Sequence, residues 1–417
     1  MLQSKLFTKT SKQIPKDEIS QNAQLLLRAG FIHKEMAGVY SLMPLGFRVV
    51  NNIKKIIAEE MEQIGSEEII MSTLQTKEVW EKTGRWDDEA VDVWFKSHLK
   101  NGNEVGFGWS HEEPIIEMMK SFISSYKDLP VAVHQFQNKL RNEVRAKSGI
   151  IRCREFVMKD MYAFCATDES NMDFYNKATE AYLRVFKRVG LGDITYVTSA
   201  SGGVFTDKFS HEFQTICESG EDIIYVNKEK NIAINKEIYN EATLKKMAMK
   251  AEDFKEEKSA EVGNIFNFGT SKCEQMGLYY NDKDGSKKLI HLSSYGIGVT
   301  RLMGVLTEIH HDENGIIWPK ALAPFDIHLL AIGSDENVLC QAEEWYARLS
   351  AHGFDVLFDD REDVGAGMKF ADADLIGLPY RVVISAKTLT EDSVEIKNRI
   401  TGKIQLVKLN EILEFFK

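Results

Sequence analysis

Apolar positions along the chain change period several times, and each change predicts an element. From about 45 to 64 they recur at helical spacing, with Val49, Ile53, Ile56 and Ile57 on one stripe and Gly65 closing the run. SQNAQLLLRAG, residues 20–30, reads as a short helix between a serine cap and a glycine stop. EEIIM is a short strand, 130–164 reads as β structure, and 170–190 is an amphipathic helix closed by Gly190. The lysine- and glutamate-rich stretch from about 237 to 259 predicts a solvated helix bridging two blocks. Strands return at NIFNFGT and KKLIHL. WPKALAPFD, with Pro319 and Pro324, reads as a domain boundary. Beyond it FDIHLLAIG, FDVLFDD and YRVVIS alternate with two helical stretches, one around 341–350 and one at KFADADLIG. That is the pattern of a compact α/β module.

Composition narrows the class. A chain of 417 residues is too long for one ordinary core, and 43% hydrophobic with 28% charged is a soluble globular mixture. Apolar runs are too short for a membrane span. The N-terminal residues have lysines and hydroxyls but neither an arginine nor the apolar core of a signal peptide. Five dispersed cysteines with no CxxC pair argue against a disulfide framework and a cysteine zinc site, and a reducing cytoplasm is the expected location. Net charge is −11. The last 96 residues hold 10 Lys+Arg against 17 Asp+Glu, and the rest hold 42 against 46. Binding to a nucleic acid would therefore rest on local patches.

Such a patch exists. RNEVRAKSGIIRCREF, residues 141–156, gathers Arg141, Arg145, Lys147, Arg152 and Arg154. On a strand, Arg141, Glu143 and Arg145 would share a face, and after the KSG turn Arg152 and Arg154 would share one too. Guanidinium forks match phosphate oxygens, and a carboxylate accepts from an exocyclic amine, so the hairpin suits a nucleoside triphosphate. Charged outer positions on a plain surface hairpin would look the same. SSYGIGVTR, 293–301, has two glycines that let the backbone approach closely, then Arg301 at a helix start. FGWSHEEPI, 107–115, sets Ser110, Glu112 and Glu113 in a turn that could equally be a helix cap with an acidic first turn.

Taken in order, these stretches resemble class II aminoacyl-tRNA synthetases, and in detail prolyl-tRNA synthetases. RNEVR…RCREFVMKD resembles the family's motif 2 and SSYGIGVTR its motif 3. WSHEE resembles its Thr-x-Glu proline loop, SHEFQ (210–214) its strand before the insertion point, and DDREDVGAGMKFADADLIGLP its anticodon-binding domain. The resemblance runs along the whole chain. It implies an α+β fold: a class II catalytic domain with an antiparallel sheet flanked by helices over 1–321, carrying a short charged insertion at about 225–260, and a C-terminal α/β anticodon-binding domain over 322–417.

By that likeness, Arg141 holds the ATP α-phosphate and the proline carboxylate, Glu143 accepts from the adenine amine, and Arg152 is a second ATP contact. Arg301 meets the γ-phosphate, and Asn267 and Thr270 contact the nucleotide. Ser110 and Glu112 hold the imino group, with Ser294 lining the proline pocket and His211 placed between pocket lining and strand packing. Asp360, Arg361 and Lys369 would meet the anticodon, although acidic residues there can also cap a helix. ATP with Mg2+ and proline are the implied small molecules, tRNA(Pro) the partner and a homodimer the assembly. Departures from the family pattern stand at Ser110 (for Thr), Ser72 (for a motif 1 proline), Asn267 (for Gln) and Ser294 (for Cys). Only about 50 residues separate Gln214 from Phe266. That is too few for the family's large editing insertion, so editing would fall to a separate factor.

Overall fold

A computed structural model describes residues 1–13, 18–144, 146–200 and 210–416, and Arg145 lies outside them. The chain divides into two compact units. One comprises Met36–Val39 and Ile53–Val305, the other Met1–Glu35, Tyr40–Asn52 and Leu306–Lys417. The second takes in the N-terminal segment and 306–321, which the sequence division at 321/322 groups with the catalytic core.

The larger unit is built on a nine-stranded sheet. Its strands in chain order are β1 Ser66–Glu68, β2 Val131–Leu140, β3 Glu155–Cys165, β4 Thr195–Ala200, β5 Ser210–Ile216, β6 Asp222–Asn227, β7 Ile232–Asn235, β8 Lys255–Gly269 and β9 His291–Gly298. They lie in the order β7-β6-β8-β9-β3-β2-β1, with β5 pairing β8 and β4. All pairings are antiparallel except β1 with β2. Helix α1, Asp168–Arg188, covers one face with Tyr175, Tyr182, Val185 and Phe186, and the Thr167 hydroxyl caps its start. On the other face, Ile115, Ile116, Phe164, Phe266 and Leu292 belong to one buried cluster.

Two readings change. The EEIIM strand stops at Glu68, and Ile69 to Met71 leave the ladder. The charged stretch 237–259 is not one long helix. It holds a helix at Glu241–Lys246, short 3-10 turns, and from Lys255 the start of β8. A central strand of 15 residues competes better for these positions than a solvated helix, because its ladder with β6 and β5 satisfies the backbone.

In the other unit a five-stranded mixed sheet runs β11-β10-β12-β13-β14, with β10 Ile327–Ile332, β11 Val356–Asp359, β12 Tyr380–Ser385, β13 Ser393–Asn398 and β14 Ile404–Lys408. The first three are parallel and the last two antiparallel. Helices α2 Glu336–Ala351 and α3 Ala366–Ile376 occupy the crossovers.

Candidate active site

Strand register lines up the site. Gln135 lies opposite Asp160, Asp160 opposite Gly296, Gly296 opposite Asn264, and Asn264 opposite Glu212. The next row on the same face is Val133, Tyr162, Ser294 and Phe266. At Gly296 a Cβ would come within 2.8 Å of Asn264 Oδ1, so a side chain there would displace the Asn264 amide. Ser110, Glu112, Arg141, Met158, Asp160, Tyr162, Asn264, Phe266 and Ser294 line one small cavity over this face.

The loop carrying Ser110 is held from behind. Gln75 Nε2 donates to Ser110 O at 2.9 Å, and Trp80 Nε1 donates to Gln75 Oε1 at 3.0 Å. Trp80, Trp86, Trp94 and Trp109 form a cluster, and the Arg85 guanidinium stacks 4.6 Å from the Trp109 ring. Arg85 Nη1 donates to both Glu113 carboxylate oxygens at 2.9 Å and stands 3.6 Å from Glu112. Glu113 is also met by Lys272 at 3.0 Å, so the Arg85 and Lys272 charges outweigh burial and keep its carboxyl below the usual range. Glu112 differs: it is 4% exposed, and its Oε2 has no hydrogen-bond partner among the described residues.

The arginines are gathered, though not by strand alternation. β2 ends at Leu140 and β3 begins at Glu155; between them the chain turns through Ser148 and Gly149, both at positive φ, and Arg141 N–H donates to Arg154 O at 2.7 Å. Arg141 Nε donates to Trp109 O at 3.3 Å and its guanidinium lies 5.3 Å from the Phe156 ring. Arg301, in the first turn of the helix Val299–Ile309, donates to Ile151 O at 2.8 Å and pairs with Glu261 at 3.7 Å. Burial, and then the Arg301 charge, lower the Arg141 pKa. Arg152 forks onto Glu143 at 2.8 Å and Glu221 at 2.6 Å. Arg141, Glu143, Arg152 and Arg301 therefore belong to one charged neighbourhood bordering the cavity that holds Ser110, Glu112 and Ser294.

Other expected residues lie elsewhere. His211 points to the opposite face, where its Nδ1 is 2.8 Å from the Tyr175 hydroxyl of α1, so it serves strand packing and not the cavity. Asn267 is on that face too, meeting Asn171 at 3.2 Å, because it falls one residue out of phase with Phe266. Thr270 lies beyond the end of β8, before the helix Ser271–Met276, and does not line the cavity. In the other unit Lys369 is buried, donating to Ala331 O at 2.9 Å and Asp359 O at 3.2 Å. Arg361 forks onto Asp359 at 2.8 and 2.6 Å and reaches Asp372 at 2.9 Å, and Asp360 accepts from Ser4 N–H and Oγ at 2.9 and 2.6 Å.

Sequence reasoning missed Lys139, His111, Gln135, Tyr162, Asp160, Glu261, Asn264 and Phe266. The signal for several was present. Counting by two back along β2 from Lys139 gives Gln137 and Gln135, and counting by two along FVMKDMY gives Met158, Asp160 and Tyr162.

Comparison with known proteins bears on this geometry. Residues 94–310 match the tRNA synthetase class II core domain (G, H, P, S and T), and residues 323–417 match the anticodon binding domain. The proline–tRNA ligase of Agrobacterium fabrum is 37% identical over 97% of this chain and 97% of its own. That of Rickettsia bellii is 38% identical over 99% of this chain and 97% of its own. The chain belongs to the proline–tRNA ligase family. Among solved structures, Giardia lamblia prolyl-tRNA synthetase in complex with prolyl-adenylate superposes with a TM-score of 0.77. It is 19% identical and covers 94% of this chain and 75% of its own. Prolyl-tRNA synthetase from Cryptosporidium parvum, complexed with L-proline and AMP, gives 0.75 at 16% identity, covering 95% of this chain and 73% of its own. At such identities these two establish the shared fold.

Proposed function

We propose that the chain activates proline with ATP and transfers it to the 3′ end of tRNA(Pro). A proline carboxylate oxygen attacks the α-phosphorus, pyrophosphate leaves, and the adenylate carbonyl is then attacked by a hydroxyl of the tRNA's terminal ribose, releasing AMP. The observation that carries this reading is the pairing of opposites within one cavity. The buried Glu112 Oε2 accepts no hydrogen bond among the described residues, with Arg85 standing off at 3.6 Å, and Arg141 stands in the same cavity with its charge opposed by that of Arg301. A zwitterionic imino acid supplies an ammonium for the first and a carboxylate for the second, and the triphosphate supplies the anion both arginines want.

In this proposal Ser110 and Glu112 hold the imino group, Ser294 lines the ring pocket and Arg141 bridges carboxylate and α-phosphate. Arg301 takes the γ-phosphate, and Arg152 with Glu143 takes the rest of the nucleotide. Rate comes from holding the reactants in line and from cationic groups placed where phosphate charge develops. Mg2+ belongs to the proposal as a companion of the ATP phosphates, where it would screen their charge.

The same proposal keeps 1–321 as the catalytic part and 322–417 as the tRNA-reading part. A cytoplasmic location, a homodimer and an outside editing factor belong to it as well. Support for the dimer comes from Ile70, Leu74 and Phe122, exposed by 79%, 47% and 66% around one apolar groove. Among the described residues no helix is long and apolar enough to cross a membrane.

ATP–pyrophosphate exchange across the amino acids tests the core of the reading. It should depend on proline, and exchange driven equally by any other amino acid refutes it. Residues 222–254 are spent on a small extension of the sheet. Hydrolysis of alanyl-tRNA(Pro) by the purified protein should therefore be undetectable.

A further inference from the structure

Beneath the proposed proline pocket lies a buried charged network that the reaction scheme leaves unused. Lys139 is fully buried on β2. Its ammonium is 2.6 Å from His111 Nδ1 and 2.9 Å from Asp160 Oδ1. Asp160 Oδ2 accepts from Gln135 Nε2 and from the Tyr162 hydroxyl, both at 2.8 Å. His111 Nε2 lies 3.1 Å from Ser72 O, so the ring carries its proton there and offers Nδ1 to the ammonium. His111 is also the residue between Ser110 and Glu112. Lys139 thus touches both sides of the pocket: the loop with the hydroxyl and carboxylate, and the sheet floor with Asp160.

We propose that Lys139 is a positioning residue of the proline site, whose buried ammonium ties the 110–112 loop to the sheet and cancels the Asp160 charge. Glu112 is then the one carboxylate of the cavity left for the substrate's imino group. The inference rests on the proline-activation reading and adds to it a group that never touches substrate. Without the ammonium, Asp160 would be an uncompensated buried carboxylate competing for the substrate's cation, and the loop would lose its anchor.

A pH signature separates this from ordinary packing. Burial first, and then the Lys139 charge, hold the His111 pKa down at about 4. Lys139 and Asp160 are the charged groups facing His111 from the sheet, Ser72 O faces it from the segment after β1, and Glu112 follows on its own helix. Removing Lys139 lets the His111 pKa rise, and the imidazolium, with Nδ1 4.0 Å from Asp160, then stands in for the lost ammonium.

Proline-dependent exchange is measured for Lys139→Met. At about pH 8 the proline KM should rise ~10-fold or more, with kcat and the ATP KM moving less than ~3-fold. Towards about pH 6 the proline KM should fall back, and adding His111→Asn should abolish that return. Lys139→Met/Asp160→Asn, with both charges gone, should recover most of the proline KM. An unchanged proline KM in Lys139→Met overturns the proposal, as does a joint shift of kcat and both KM values with no pH dependence. Should Lys139→Met not fold, His111→Asn carries the test, since it cuts the tie while leaving the Lys139–Asp160 pair intact. It must raise the proline KM and spare the ATP KM, and an unchanged proline KM overturns the idea. Absence of proline-dependent exchange in the wild type would instead sink the underlying functional reading.

Discussion

Arg141 and Arg361 begin as equals in the sequence, each a guanidinium amid acidic and basic neighbours, each matched to a ligand-binding stretch. Their surroundings are opposite. Arg141 is half-buried beside another cation, and both effects weaken its hold on its proton. Arg361 is clasped by Asp359 and Asp372, which raise its pKa further. One cation is short of anions; the other is saturated. At Arg141 a cation stays under-compensated until an anionic ligand arrives, whereas the Asp359–Arg361–Asp372 network is closed; Arg152, held by Glu143 and Glu221, resembles Arg361 in this respect. Density of charge along the chain does not separate the two cases, and the pairing does.

The comparison can be broken most sharply at Arg141. Arg141→Ala should reduce proline-dependent exchange by ~10³-fold or more, because a transition-state charge contact is lost. A loss under tenfold would mean the under-compensated cation is not where the phosphate sits. Next comes Glu112→Gln, which keeps shape and removes charge; kcat/KM for proline should fall by about 10²-fold, read in the same assay. An effect confined to the ATP KM would put the imino group elsewhere.

On the saturated side, Lys369→Met should leave exchange untouched and lower the unfolding free energy by about 1–3 kcal/mol, measured by denaturant titration. The cost is moderate because Arg361 remains on Asp359. If tRNA charging fell while stability held, Lys369 would return to the anticodon. The smallest effect concerns Glu212, whose carboxyl is pushed up to about 8 by burial and then by the Glu261 charge. Its raised pKa gives a stability contribution fully present below the ordinary glutamate range and lost as pH rises through about 8. Glu212→Gln should flatten that part of the stability–pH curve. An unaltered slope would show that Glu212 ionises normally.

Much of this was legible in the sequence, and the failures share a cause. The structure brings Arg141, Arg152, Arg301, Ser110, Glu112 and Ser294 into one neighbourhood, and the sequence marked them because each lies in a short contiguous motif. The helices closed by Gly65 and Gly190 run at Pro44–Gln63 and Asp168–Arg188, within a few residues of expectation, because an amphipathic stripe and a left-handed glycine are local properties. For His211, left open between pocket lining and strand packing, and for Asn267, strand phase decides which face is occupied, and one step exchanges cavity for helix contact. Phase within a strand is readable; which face is covered by α1 is not. The surroundings of Lys369 were hidden for a related reason, since the carbonyls of Ala331 and Asp359 that accept from its ammonium are brought to it by topology. The strand start at Lys255 was hidden by lysines and glutamates whose solvent-facing alternation resembles a hydrated helix.

The tryptophan nest behind the 107–115 loop has a practical consequence. Four of the chain's six indoles sit in that cluster, and Trp109 directly precedes Ser110. Filling the adjoining cleft should alter the quantum yield of intrinsic emission, so occupancy can be followed optically, without label or radioisotope, in the very variants whose turnover is too slow to assay.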